Sequence, residues 1–209
     1  MFVSTFELLL NVTQLPRSIV NLPPAALEPL RPLSREILQG YFLTLSNLEN
    51  RPVVLQILFT VITTAAEDMF DSGTVTSFFD ADGSNQIVTV TSPTPETRSI
   101  ILTLPPKDTG LLLVQPNPSL LLQKLDKSEI EIRGYVEIKQ LQSCGEGSQV
   151  AKILVTPDQR GTFYQLEVPK REDGTFDREA ELSLVEQQML DQIAYSLPTG
   201  TGGCLFELS

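Results

Sequence analysis

The sharpest pattern along the chain is a pair of apolar runs separated by a short polar stretch. They are Gly40–Ser46 (GYFLTLS) and Val53–Thr63 (VVLQILFTVIT), joined by Asn47-Leu48-Glu49-Asn50-Arg51-Pro52. Runs of this length, rich in β-branched and aromatic residues and bounded by turn formers, predict an antiparallel hairpin. In the second run Val53, Leu55, Ile57, Phe59 and Val61 fall on one face, and Val54, Gln56, Leu58, Thr60 and Ile62 on the other. A strand with one face in the core alternates apolar with polar. Val54, Leu58 and Ile62 break that alternation. They are the expected interface residues, needing cover from the Pro-rich connector at 16–34 or from another subunit.

Other segments repeat the two-residue period. Phe2–Val12 predicts a first strand. Residues 16–34 form a connector with Pro16, Pro23, Pro24, Pro29 and Pro32, which forbid a regular helix or a central strand. Its Ile19, Val20, Leu22, Leu27, Leu30 and Leu33 give it apolar residues to bury, predicting an extended segment laid over the sheet, with a disordered linker as the alternative. Gly73–Phe79 and Gln86–Thr91 predict a hairpin around Asp80-Ala81-Asp82-Gly83-Ser84-Asn85, because an Asp-Gly step favours the tight turn. Arg98–Leu104 and Leu111–Gln115 follow as strands around the turn Lys107-Asp108-Thr109-Gly110. Glu129–Lys139 alternates most cleanly, with Ile130, Ile132, Gly134, Val136 and Ile138 on one side. Val150–Thr156 and Thr162–Val168 predict a last hairpin around Pro157-Asp158-Gln159-Arg160-Gly161, and Cys204–Leu208 a short edge strand.

One segment departs from this period. Leu182, Val185, Met189, Leu190, Ile193 and Leu197 recur at helical spacing between Asp177 and Pro198, predicting a helix over about Arg178–Ser196. The expected fold is therefore mainly β, a two-sheet antiparallel β-sandwich of immunoglobulin-like architecture with a C-terminal helix. Residues 1–169 would form the sandwich, and 170–209 an appendage packed on it.

The stretch Leu43-Thr44-Leu45-Ser46-Asn47, then Val53–Ile62, then Ile101-Leu102-Thr103-Leu104-Pro105-Pro106-Lys107-Asp108-Thr109, resembles the strand rhythm of bacterial immunoglobulin-like sandwiches. More distantly it is similar to the small β-sandwich transducers of sensory rhodopsins. The resemblance runs from about Leu43 to Ile138 and rests on strand rhythm and a few turn residues. It implies an oligomeric, non-enzymatic binding or signalling sandwich, and it carries over no site residues.

Charge narrows the partners. The formal net charge is −11, from 26 acids and 15 bases. Val53–Thr97 and Glu179–Ser209 contain no Lys or Arg at all. Nucleic acid and anionic membrane both need a basic stripe, so neither is an expected partner. No histidine is present, which removes the usual general base and the commonest metal ligand. No stretch reaches the roughly 20 apolar residues of a membrane helix. The start Met1-Phe2-Val3-Ser4-Thr5-Phe6-Glu7-Leu8 lacks a basic region before its apolar residues, so the expected location is cytoplasmic. Cys144 and Cys204 are the only cysteines. They can form one disulfide, but a cytosolic chain keeps them as thiols.

Candidate chemistry is sparse. Asp80, Asp82 and Asn85 offer oxygens to a cation, but the glycine falls two places early for a calcium loop and no bidentate Glu follows. A plain turn accounts for them. Gly145-Glu146-Gly147-Ser148 lacks the Gly-Lys-Ser/Thr step of a phosphate loop. Glu131, Arg133, Tyr135 and Glu137 share a strand face, and Arg133, Tyr135 and Tyr164 are the candidate ligand-binding residues. No cofactor fingerprint or catalytic nucleophile motif stands out, so an enzyme is not expected. The leading expectation is a non-catalytic module that binds protein, itself included, as a homo-oligomer. The alternative is a β-sandwich that binds a small molecule or carbohydrate.

Overall fold

Inward apolar residues at every second position draw these segments into sheet, each strand burying one face. The computed structural model describes residues 1–10, 36–62, 70, 73–94, 96–118, 130–141, 150–164 and 189–208. Twelve strands lie within them: β1 (Phe2–Leu10), β2 (Glu36–Asn47), β3 (Val53–Val61), β4 (Val75–Ala81), β5 (Ser84–Ile87), β6 (Thr91–Thr94), β7 (Thr97–Leu104), β8 (Thr109–Pro116), β9 (Ile130–Leu141), β10 (Ala151–Tyr164), β11 (Met189–Ser196) and β12 (Leu205–Leu208). All described ladders are antiparallel, and nine strands follow one path, β5-β4-β8-β2-β1-β9-β3-β7-β6. This sheet curls into a half-barrel.

β2 is the branch point. One of its edges pairs with β10 from Glu36 to Asn47. Its other edge meets β1 at Leu38 and Gln39, then β8 from Tyr41 to Ser46. Two arms therefore diverge from β2, one through β8, β4 and β5, the other through β1, β9, β3, β7 and β6. Only residues 88–90 separate the far ends, β5 and β6. The core fills the space between the arms. Phe6, Tyr41, Phe59 and Phe70 meet at its centre, with Phe6–Phe59 and Tyr41–Phe59 ring centroids 5.2 and 5.8 Å apart, both edge-to-face.

The seam between β1 and the β10 side is closed by unlike devices. β1 and β2 share a two-residue ladder. Beside it the buried Gln159 side chain donates from Nε2 to the Glu7 carbonyl and, at 2.9 Å, to that of Gly40. Gly200 N–H donates to the Val3 carbonyl at 2.7 Å. An amide side chain thus does the work of a missing ladder rung.

Several expectations stand as read. β1, β7, β8, β9 and β12 occupy their expected segments, and all five inward residues of Glu129–Lys139 are buried. The β4–β5 hairpin turns at Asp82 and Gly83, with φ of 54° and 65°. Positive φ at both central residues matches the right-handed twist of a two-residue hairpin, which is why Asp-Gly serves there.

Three expectations are corrected. First, β2 and β3 form no hairpin: β3 pairs with β7 and β9, and β2 with β1, β8 and β10. The runs do face each other, but through side chains across the core. Asn47 holds this arch together. It donates from Nδ2 to the carbonyls of Arg51 (2.9 Å), Leu104 (3.2 Å) and Pro105 (2.8 Å), and its Oδ1 accepts from Glu49 N–H. Second, Pro157–Gly161 is no turn, because β10 runs straight through it. Pro157 is tolerated where the β10–β11 ladder ends. Its carbonyl accepts from Leu197 N–H at 2.8 Å, and its missing donor falls on that same side, past the last β11 pair, Asp158–Ser196. Third, Met189–Ser196 is strand, not helix, paired along β10 from Asp158 to Tyr164. The open edge of β10 supplied hydrogen bonds that outweighed a helical apolar spacing. Residues 178–188 of that expected helix, the connector 16–34, Cys144 and the Gly145–Ser148 loop lie outside the described residues. No helix occurs among the described residues, which form one continuous curled sheet.

Candidate functional site

The register places side chains of the outward face of β9, β3 and β7 in rows. Leu141, Val54 and Thr103 form one row, Lys139, Gln56 and Ile101 the next, then Glu137, Leu58 and Ser99, then Tyr135, Thr60 and Thr97. Val54, Leu58 and Leu141 are half-buried, whereas Ile101 is 56% and Ile62 69% exposed. Ile101 stands diagonally between Val54 and Leu58, so these residues and Leu141 make one apolar patch. Within the patch, Gln56 Nε2 donates to Ser99 Oγ at 2.9 Å. Ile62 sits beyond β3, its N–H bonded to the Arg133 carbonyl at 2.9 Å. The two-faced reading of the second apolar run pointed here. It missed Ile101, although the same count finds it: Ile100 and Leu102 point in, so Ile101 must point out.

A second apolar stripe crosses the outward face of the other arm. Phe42, Leu113, Phe78 and Ile87 lie side by side on β2, β8, β4 and β5. Ile87 is 78% exposed, and the Arg160 guanidinium lies 4.5 Å from the Phe42 ring centre. No local pattern announces this stripe, because its members come from strands distant in sequence.

The candidate ligand residues separate. Arg133 and Tyr135 neighbour each other on the outward face of β9, while Tyr164 ends β10, with β2 and β1 between. Arg133 forms ion pairs with Glu7 and Glu131, and the Glu7 hydrogen bond chiefly holds its pKa above the usual value. Glu7 also accepts from Gln39 Nε2 at 3.0 Å. Tyr135 stacks obliquely on Phe2, centroids 5.4 Å apart. Tyr195 stands nearby on β11, its pKa raised by burial and by Glu7. The cluster is thus a set of mutual contacts tying β9, β1 and β2 together at the seam.

Asp80 and Asn85 are a cross-strand pair flanking the β4–β5 turn. Asp82 spends its backbone N–H on Asp108 Oδ2 at 3.0 Å. Among the described residues, no three His, Cys, Asp or Glu side chains gather as a cation cluster. Cys204 is an exposed free thiol. Buried Tyr41 shares a hydrogen bond of 2.9 Å with Ser4 Oγ, and burial pushes its phenol pKa up. No helix among the described residues is long and apolar enough to cross a membrane. Comparison with protein-family models, curated proteins and solved structures finds no match to this chain.

Proposed function

We propose that this protein is a non-catalytic assembly module that associates with itself through the outward face of β3 and β7. The observation carrying this reading is the contiguous patch of Val54, Leu58, Ile101 and Leu141 on the outside of β3, β7 and β9, whose inside is already core. A sheet face dressed this way gains by excluding water from both sides. Self-association is the economical solution, because one patch then covers another of its kind.

The two arms of the curled sheet act, in this reading, as the layers of an immunoglobulin-like sandwich, and the protein works in the cytoplasm. The acidic charge counts against nucleic acid and anionic lipid. The ligand-face alternative gains nothing from the geometry, since Arg133 is committed to Glu7 and Glu131.

The test is light scattering of the wild type against Ile101→Lys, with circular dichroism as a control for folding. Position 101 faces outward, so the variant keeps its β signal and loses the associated species. An associated species that persists unchanged in a folded Ile101→Lys protein refutes this surface.

A further inference from the structure

The β4–β5 turn carries two groups that can react with each other. Asp82 and Gly83 are both exposed, and a Cβ built on Gly83 would meet nothing within 4 Å. Among the described residues the Asp82 carboxylate has no hydrogen bond or ion pair, and the Gly83 N–H has no acceptor. Bonding the Gly83 nitrogen to the Asp82 carboxyl carbon closes a five-membered ring, and glycine puts no side chain in its way. Closing it means turning that nitrogen onto the carboxyl, out of the native turn with its φ of 54° and 65°. The tip must therefore open first, and little resists that. β5 has four residues, all exposed, and ends the strand path paired to β4 alone. The rest of the sheet ties the turn down through Asp82 N–H, which donates to Asp108 Oδ2 at 3.0 Å. Edge elements with few buried contacts open at far lower free energy than the whole fold.

From this unengaged pair on an easily opened edge, we infer that Asp82-Gly83 is a modification site, where the aspartate isomerises spontaneously to isoaspartate. The Gly83 nitrogen attacks Asp82 Cγ. An N–Cγ bond forms, and the carboxyl OH leaves with the amide proton as water. A solvent water then attacks the main-chain carbonyl carbon of Asp82 and breaks its bond to the Gly83 nitrogen. The chain now runs through Cγ, the former main-chain carbonyl is a free carboxylate, and the mass is unchanged. One more backbone atom in a two-residue loop is incompatible with the positive-φ turn, so β5 loses its register on β4. The hairpin that loosens carries Phe78 and Ile87, the outer members of the second apolar stripe. This chemistry is independent of whether the chain associates.

The full-length protein, incubated at neutral pH both folded and in guanidinium, tests this. Its peptides are mapped by liquid chromatography with electron-transfer fragmentation, which tells the two linkages apart at equal mass. The folded chain accumulates isoaspartate at position 82 at a rate within about tenfold of the unfolded chain, the ratio reporting how often the tip is open. Asp82→Glu, whose longer side chain would have to close a six-membered ring, loses the isomerised peptide and keeps the wild-type circular dichroism. Isoaspartate at position 82 in the unfolded chain but not in the folded one overturns the inference, because the turn then shields the pair. Isoaspartate confined to Asp173-Gly174, the other Asp-Gly step of the sequence, overturns it equally.

Discussion

Asn47 does with one carboxamide what a hairpin would do with a ladder. Its side chain reaches three carbonyls of the β2–β3 arch and the β7–β8 turn, and it is almost fully buried. Asn47→Ala leaves those acceptors short of a donor away from water, which costs about 2 kcal/mol. For a chain of this size that lowers the melting temperature by about 4–8 °C, readable by calorimetry. A shift under one degree contradicts the stapling role. Tyr41 makes a prediction of opposite chemical character. Burial raises its pKa above the ordinary 10.0, so the folded state holds the phenol proton after the unfolded state has released it. Stability is therefore undiminished by this group below pH 10 and falls as the pH rises above it. An absorbance titration at 295 nm should show Tyr41 ionising together with alkaline unfolding, after the exposed phenols. Complete ionisation of all tyrosines in a protein that stays folded would contradict its burial.

At the scale of the element, the sequence was most legible where one strand alternates against one core. β9 and the Asp-Gly hairpin were readable for that reason: a period of two and a positive-φ turn are local properties. β10 was not. Pro157, Asp158 and Gly161 form a turn signature, and only the positions of β2, β11 and β12 explain why the chain stays extended through them. Gly161 is a case in point. A Cβ there would come within 3.2 Å of Ile37 Cδ1, so the glycine serves packing between strands, not a bend. β11 failed for a related reason, since an edge offering free carbonyls and N–H groups outweighs apolar residues spaced for a helix. Hydrogen exchange checks this directly. Paired to β2 on one side and β11 on the other, amides 158–162 exchange slowly, as do those of 153–156 beside β2. Exchange at 158–162 as fast as in an open loop would contradict the continuous strand.

At the scale of the molecule, lateral strand order decides which outward residues become neighbours, and no single sequence carries that order. Val54 and Leu58 were legible as misplaced apolar residues on one strand. The patch they form with Ile101 and Leu141 needed β7 on one side and β9 on the other. The stripe of Phe42, Leu113, Phe78 and Ile87 draws on four strands and was invisible for the same reason. The inward halves of these strands build one core, while the outward halves give a surface more apolar than solubility requires, on a chain whose net charge of −11 otherwise favours solution. The proposed self-association would reconcile the two.

The most direct measurement is sedimentation equilibrium of the unmodified protein over a wide concentration range. A molar mass that climbs above that of one 23.1 kDa chain as concentration rises is the predicted result. A mass that stays at one chain up to the highest soluble concentration would contradict it.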